Sequence, residues 1–415
     1  MESKKCKGMR DLLPEDMVRF RHIEDAFRHC CGKYGYQEVR TPTLEYLHLF
    51  TAAGTLTPSM LGKVYSFLDW NGWSGERVVL RPDGTIPVAR LYINNLSEHE
   101  IAKLFYVANI FAFEETGREN RERWQCGAEF LGGTKLAADA EIISLAKEVV
   151  HKLGLANIRL QLSHAGLVKA LIKELKLGPG EEAKVTSRVL DGDWQALTLI
   201  ADSCQLSAVS KLLPLLLSLK GKSSGFLQNT KALCQQASSD FKSSMEDFIN
   251  ITTLLDSLSC NYEIDITAIR GFEYYTGICF QLLADREKIG GGGRYDDLIP
   301  FMSGKSIPAC GFALYIDPIM KLLPLVGSKE GTESRILIKG EESTPEIVRT
   351  CFTLAQSLRE AKRTVEIAFT EREPSNYCWV ISVTKKPSPF VLIDRQQKQR
   401  RDVASAAEII NILGR

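Results

Sequence analysis

The sequence predicts an α+β chain, built on one sheet that is interrupted by a helical insertion and followed by a small α/β domain. Three observations predict it. Strand-like runs at 78–80, 104–113 and 123–131 are matched by others at 262–269, 277–283 and 309–316. Between them, from His164 to about Cys260, Leu, Ala, Ser and Lys dominate, aromatics thin out and the periodicity is helical. From Arg335 onward strand and helix signals alternate. Sheet material on both sides of a helical block fits one interrupted sheet better than three independent domains. The expected domains are therefore 1–325, with an insertion at about 165–258, and 334–415.

Each element has a local reason. After Pro14, the residues Phe20, Ile23, Phe27 and Cys30 fall on one helical stripe that ends near Gly32 and Gly35. A short strand at 37–41 stops at Pro42, which cannot donate to a ladder. An amphipathic helix covers 137–153, and a helix at 318–324 precedes a polar linker at 327–334. Strands at 335–339, 364–369 and 379–383 surround a helix near 345–361 and make up the terminal domain.

Composition excludes several function classes. The chain has 52 Lys and Arg against 51 Asp and Glu, so no whole-chain electrostatic footprint for nucleic acid exists. Its 11 cysteines are scattered from Cys6 to Cys378 without a C-x-x-C pair, which predicts reduced thiols and no zinc site. The first 17 residues lack an apolar stretch of the kind a secretory signal needs. The apolar run 212–219 is broken by Pro214 and is far short of the ~20 residues that span a bilayer. A soluble cytoplasmic protein is expected, with no membrane partner.

Four segments could carry chemistry. Gly290 to Gly293 precede Arg294-Tyr295-Asp296, and such a run reads either as close backbone approach to a ligand or as a tight turn. Gly304-Lys305-Ser306 imitates the end of a phosphate-binding loop, but Ile299 stands where that loop requires glycine. Arg81-Pro82-Asp83-Gly84-Thr85 follows a strand, and strand alternation puts Gln125, Gly127 and Glu129 on one face. The fourth segment, 269–277, combines Arg270, Glu273, Tyr274 and Tyr275. Converging on one sheet, these carboxylates, the amide, the guanidinium and the phenols suit a zwitterion with a polar side chain. Carboxylates accept from an ammonium, an Arg forks onto a carboxylate, and phenols bond a ring nitrogen.

Over nearly its whole length the chain resembles the class II histidyl-tRNA synthetase superfamily. Gly8-Met9-Arg10-Asp11-Leu12-Leu13-Pro14 is similar to its N-terminal signature, and 36–45 resembles its dimer-forming motif 1. The stretches IRGFEYYTG and GGGGRYDDL resemble its two histidine-specific signatures. The resemblance implies a class II aminoacyl-tRNA synthetase-like fold: a six-stranded antiparallel sheet flanked by helices, dimeric through motif 1. It also implies a histidine pocket. Asp83, Thr85 and Gln125 match positions that hold the α-ammonium, Asp83 being shorter than the usual glutamate. Glu129 and Tyr275 match those that hold the imidazole, Tyr274 and Tyr295 are pocket tyrosines, and Arg270 matches the arginine over the carboxylate.

The pattern breaks at two places. Synthetases orient ATP with an arginine after the motif 2 phenylalanine and another in motif 3, whereas here Phe111 is followed by Ala112 and Asp317 by Pro318. Losing one preorganised donor typically costs about 3–4 kcal/mol of transition-state stabilisation. The stretches VLRPDGTIPVAR, WQCGAEFLGG and ADAEIISLA are more similar to the regulatory subunit of ATP phosphoribosyltransferase, a catalytically silent relative in histidine biosynthesis. That resemblance implies a non-catalytic protein with no metal and no cofactor. Its implied partner is the short-form catalytic subunit, in a hetero-octamer, and its implied ligand is L-histidine. An active histidyl-tRNA synthetase is the alternative, since 334–415 resembles a reduced anticodon-binding domain. That domain has 14 Lys and Arg against 10 Asp and Glu. Its run Arg395, Lys398, Arg400, Arg401 is expected to be the solvated face of a helix start rather than a nucleic-acid contact, because stacking aromatics are few.

Overall fold

Pro14 starts the first helix, where its missing N–H costs nothing and its fixed φ suits the turn. The computed structural model describes residues 4–52, 62, 64–69, 75–111, 121–190, 192–195, 197, 217, 220–268, 274–324, 335–368, 377–385 and 389–413. The helix is α1 (Pro14–Lys33), and its stripe of Phe20, Ile23, Phe27 and Cys30 is buried. Phe27 meets Phe105 and Phe312 edge-on at 5.8 and 6.2 Å between centroids, and Phe20 meets Trp124 at 5.2 Å. The stripe is thus consumed in the chain's own core.

In chain order follow β1 (Gln37–Glu38), β2 (Leu44–Tyr46), α2 (Leu47–Ala52), β3 (Ser66–Leu68), β4 (Arg77–Leu80) and α3 (Thr85–Asn95). Next come β5 (Ala102–Phe111), β6 (Glu122–Leu131), α4 (Lys135–Lys152) and β7 (Ile158–His164). The insertion comprises α5 (Ala165–Glu174), α6 (Pro179–Leu190), β8 (Lys220–Gly221), α7 (Ser224–Leu233) and α8 (Ser239–Ser257). Among the described residues it is helical except for β8. The sheet resumes with β9 (Glu263–Asp265), β10 (Ile278–Ala284) and β11 (Glu287–Arg294); α9 (Leu298–Ser303), β12 (Ala309–Tyr315) and α10 (Ile316–Leu322) complete this part.

Among the described residues the main sheet has nine strands, in the order β1-β5-β6-β12-β11-β10-β7-β9-β8. The six from β5 to β7 are antiparallel throughout, as expected. Parallel strands β1 and β9 extend the two edges, and β8 pairs antiparallel with β9. The glycine run belongs to β11, deep inside this sheet, so it is neither a turn nor a ligand loop. A Cβ on Gly291 would lie 2.6 Å from the Phe280 carbonyl oxygen, and one on Gly290 would lie 2.7 Å from that of Ala313. The run lets both flanking backbones close in.

Helices α1 and α4 and the insertion pack on one face of the sheet, while α3, Tyr106, Tyr295 and Leu298 form a second apolar cluster. Strands β2, β4 and β3 form a separate three-stranded sheet. Its register sets Tyr46, Val78 and Phe67 in one row, and Leu44 shares the face of Tyr46. Leu44, Tyr46 and Phe67 remain 46%, 43% and 45% exposed.

The chain divides into two compact units, 1–324 and 325–415. The second holds β13 (Ile336–Gly340), α11 (Pro345–Glu360), β14 (Val365–Ile367), β15 (Trp379–Val383), β16 (Phe390–Asp394), β17 (Gln399–Val403) and α12 (Ala406–Leu413). Strand order is β14-β13-β15-β16-β17 around a core of Ile338, Leu354, Leu358, Ile381 and Ile409. Arg395 and Lys398 lie in the turn between β16 and β17, and Arg400 and Arg401 lie on the exposed strand β17. The expected helix start is therefore a hairpin, because Asp394 Oδ1 accepts the N–H groups of Gln396 and Gln397 and folds the chain back. Tyr377 is buried and donates to Glu366 at 2.6 Å.

Candidate functional site

Strand alternation along β6 turns Gln125 and Glu129 to one face, and both are buried. Thr85, the first residue of α3, donates its hydroxyl to Glu129 Oε1 at 2.8 Å, and the Tyr295 phenol donates to Oε2. Asp83 stands just before α3 and accepts the Ile86 N–H at 2.8 Å, so the carboxylate also anchors the helix start. Tyr274 and Tyr275 stack obliquely at 4.7 Å, and Tyr274 meets Tyr295 at 5.8 Å. Seven of the eight expected site residues thus converge; Arg270 lies outside the described residues.

The electrostatics follow from burial. Desolvation pushes the Glu129 carboxyl up to about 8, outweighing the hydrogen bonds from Tyr295 and Thr85 that favour its ionised form. Asp83 is also raised by burial, against the pull of the N–H groups of Ile86, Thr85 and Gly84. Burial raises Tyr106, Tyr274, Tyr275 and Tyr295 as well, so all four are phenols rather than phenolates at neutral pH. The site offers neutral donors and two carboxyl groups, which suits a ligand that brings its own cation.

One contributor escapes sequence reading. Tyr106 faces Gly127 across the β5–β6 ladder and accepts from Gln125 Nε2 at 3.0 Å. Its ring fills the space that a Cβ on Gly84 or Gly127 would need. The glycines inside the Asp83–Thr85 and Gln125–Glu129 segments were the available signal: both make room for one aromatic.

The remaining cations have other duties. Arg81 is buried and bonds the Thr41 and Pro42 carbonyls at 2.9 and 3.1 Å and Asn109 O at 2.7 Å. It braces the chain after β1 against β5 rather than facing the site. Arg294 Nε bonds both Asp139 oxygens at 3.0 Å, on the side of the sheet opposite Tyr295. Pro318 lies in α10, where the preceding Asp317 pairs with Arg10. Lys321, the nearest following cation, pairs with Glu287 at 3.1 Å. Arg121 directs Nη1 to the Tyr65 hydroxyl at 3.4 Å. Ala112 and Arg118 lie outside the described residues.

Residues 8–319 match the family model described as histidyl-tRNA synthetase. The chain belongs to the histidyl-tRNA synthetase family. Within that family it is 44% identical to an ATP phosphoribosyltransferase regulatory subunit of Dehalococcoides mccartyi, over 99% of this chain and 98% of that one. A histidine–tRNA ligase of Methanocaldococcus jannaschii is 32% identical, over 89% of this chain and 86% of the ligase. Among solved structures, an ATP phosphoribosyltransferase regulatory subunit/histidyl-tRNA synthetase from Bacillus halodurans C superposes with a TM-score of 0.78 at 25% identity, covering 92% of this chain and 98% of that one. This histidyl-tRNA synthetase-family chain therefore shares the family's class II fold and is more similar to the regulatory subunit over its full length than to the ligase.

Proposed function

We propose that the chain is the regulatory subunit of an ATP phosphoribosyltransferase: it activates a short-form catalytic subunit, makes it sensitive to L-histidine and catalyses no reaction itself. The carrying observation is the convergence of polar and aromatic side chains on Glu129, in a chain whose sequence has Ala112 and Pro318 at the two positions where a synthetase needs arginine. The 44% identity over 99% of the chain supports the same reading.

In this reading the L-histidine ammonium lies near Asp83, Thr85 and Gln125, and its imidazole reaches Glu129 and Tyr275. Tyr274 and Tyr295 close the ring pocket, and Arg270 takes the carboxylate. A triphosphate would need cations that Ala and Pro cannot supply, so adenylate formation does not follow binding. Histidine instead favours one conformation of the complex over another, the only way a ligand shifts an equilibrium. Self-association occurs through the exposed row of Leu44, Tyr46 and Phe67, and the chain assembles with the catalytic subunit as a hetero-octamer in the cytoplasm.

Mixing the chain with a short-form catalytic subunit tests this. Turnover rises on mixing and falls when histidine is added. Failure to form a complex, together with charging of tRNA by the chain alone, would establish the synthetase alternative.

A further inference from the structure

Two stretches that supply the tyrosines of the amino-acid site also line a second space. Tyr275 and Tyr295 belong to the site, whereas the neighbouring Thr276, Arg294 and Asp296 line a polar crevice of about 340 Å³ between β7, α4, α8 and the ends of β10 and β11. Successive residues of an extended chain point to opposite faces, so the two spaces lie back to back.

The floor of the crevice is built and buried. Arg294 is held by Asp139 and, through Nη1, by Asp296 Oδ1 at 2.8 Å, and it also donates to the Lys135 carbonyl at 2.9 Å. Beside it lies His164, only 3% exposed. Its Nδ1 accepts the Leu167 N–H at 3.1 Å to cap α5. The ring proton therefore resides on Nε2, and among the described residues this N–H has no partner. Burial lowers the His164 pKa to about 3, so the ring stays neutral and remains a single-proton donor at physiological pH. His164 lines a space large enough for a small molecule, so an acceptor bound there can take this N–H.

The rim has the opposite character. Asp247 on α8 and Asp297 at the start of α9 have no ion-pair partner among the described residues, and both are exposed. Counting Asp139 and Asp296 with them, four carboxylates face the two cations Lys135 and Arg294. The crevice therefore favours a positively charged occupant at its mouth and a hydrogen-bond acceptor at its floor.

We propose that this crevice is a second ligand site, distinct from the amino-acid site. It takes a small organic amine whose ammonium lies at Asp247 and Asp297 and whose oxygen accepts from His164 Nε2. The proposal does not depend on the partner assigned above.

Calorimetric titration of the full chain with glycinamide, L-lysinamide and ethanolamine tests it, with saturating L-histidine present to keep these probes out of the first site. At least one probe binds saturably. Combined Asp247→Asn and Asp297→Asn substitution weakens that binding tenfold or more without touching the core. His164→Asn keeps a side-chain acceptor for the Leu167 N–H but withdraws the deep donor, and weakens binding at least fivefold with the circular dichroism spectrum unchanged. Absence of binding by all three amines, or binding that survives the double substitution, overturns the proposal. So does a double variant that binds no amine in either form and loses only a protein partner, since the crevice would then be a docking surface.

Discussion

Glu129 carries the pH signature of the proposed amino-acid site. With its carboxyl pushed up to about 8 from an ordinary 4.5, the folded chain keeps a proton that the unfolded chain has released between those values. The contribution is present below about 4.5 and is lost as pH rises towards 8, so stability falls across that window. Glu129→Gln removes the titration and keeps an oxygen to accept from Thr85. The melting temperature of this variant, measured against the wild type from pH 5 to 8, should gain steadily with pH; a constant difference would contradict the raised carboxyl. His164 and Asp139 titrate equally in both proteins and cancel. Truncation to Ala removes the acceptor of both hydrogen bonds, so Glu129→Ala should weaken L-histidine binding by about 1.5–3 kcal/mol, measured by calorimetry. Gln125 and Glu129 are legible in the sequence because two-residue alternation is a local property. Tyr106 is not, because its place depends on which residue of another strand lies opposite it.

Elements differ in how much of their fate a local pattern contains. The apolar stripe of α1 announces a buried face but not the surface that buries it. Only the sheet, assembled from Phe105, Trp124 and Phe312 on three distant strands, decides that it is the chain's own. Phe27→Ala should therefore destabilise the monomeric fold itself, by about 3–5 kcal/mol in chemical denaturation, and not merely loosen a dimer. The glycine run of β11 misleads for a related reason. Locally it reads as a turn, and its meaning as a strand lies in the backbones of β10 and β12 beside it. The exposed row on β2 and β3 is where association should be tested. Tyr46→Glu puts a charge into that row and should convert a dimer to a monomer in sedimentation at micromolar concentration, with the far-ultraviolet spectrum unchanged. A wild-type chain already monomeric under those conditions would remove the interface.

For the whole molecule, the question is how the proposed amino-acid site would regulate without catalysing. A ligand that binds only the folded chain stabilises it by mass action, about 2.7 kcal/mol at a hundredfold excess over Kd. L-histidine should therefore raise the melting temperature of the isolated chain in a concentration-dependent way, and ATP should not. Regulation requires more, because coupling between two sites is a free energy they share. If histidine lowers the affinity of the assembled complex for ATP by some factor, ATP must lower its affinity for histidine by the same factor, typically about 5- to 150-fold. In the isolated chain, with Ala112 and Pro318 in place of two cations, the ATP effect on histidine affinity should be absent. Histidine Kd for the chain and for the complex, each with and without ATP, gives one factor, and ATP Kd for the complex with and without histidine gives the other. Agreement of the two factors in the complex, with no ATP effect on the chain alone, locates the coupling in the assembly. An ATP effect on the isolated chain would mean that this subunit still binds the nucleotide, and the regulatory reading built on its missing arginines would fail.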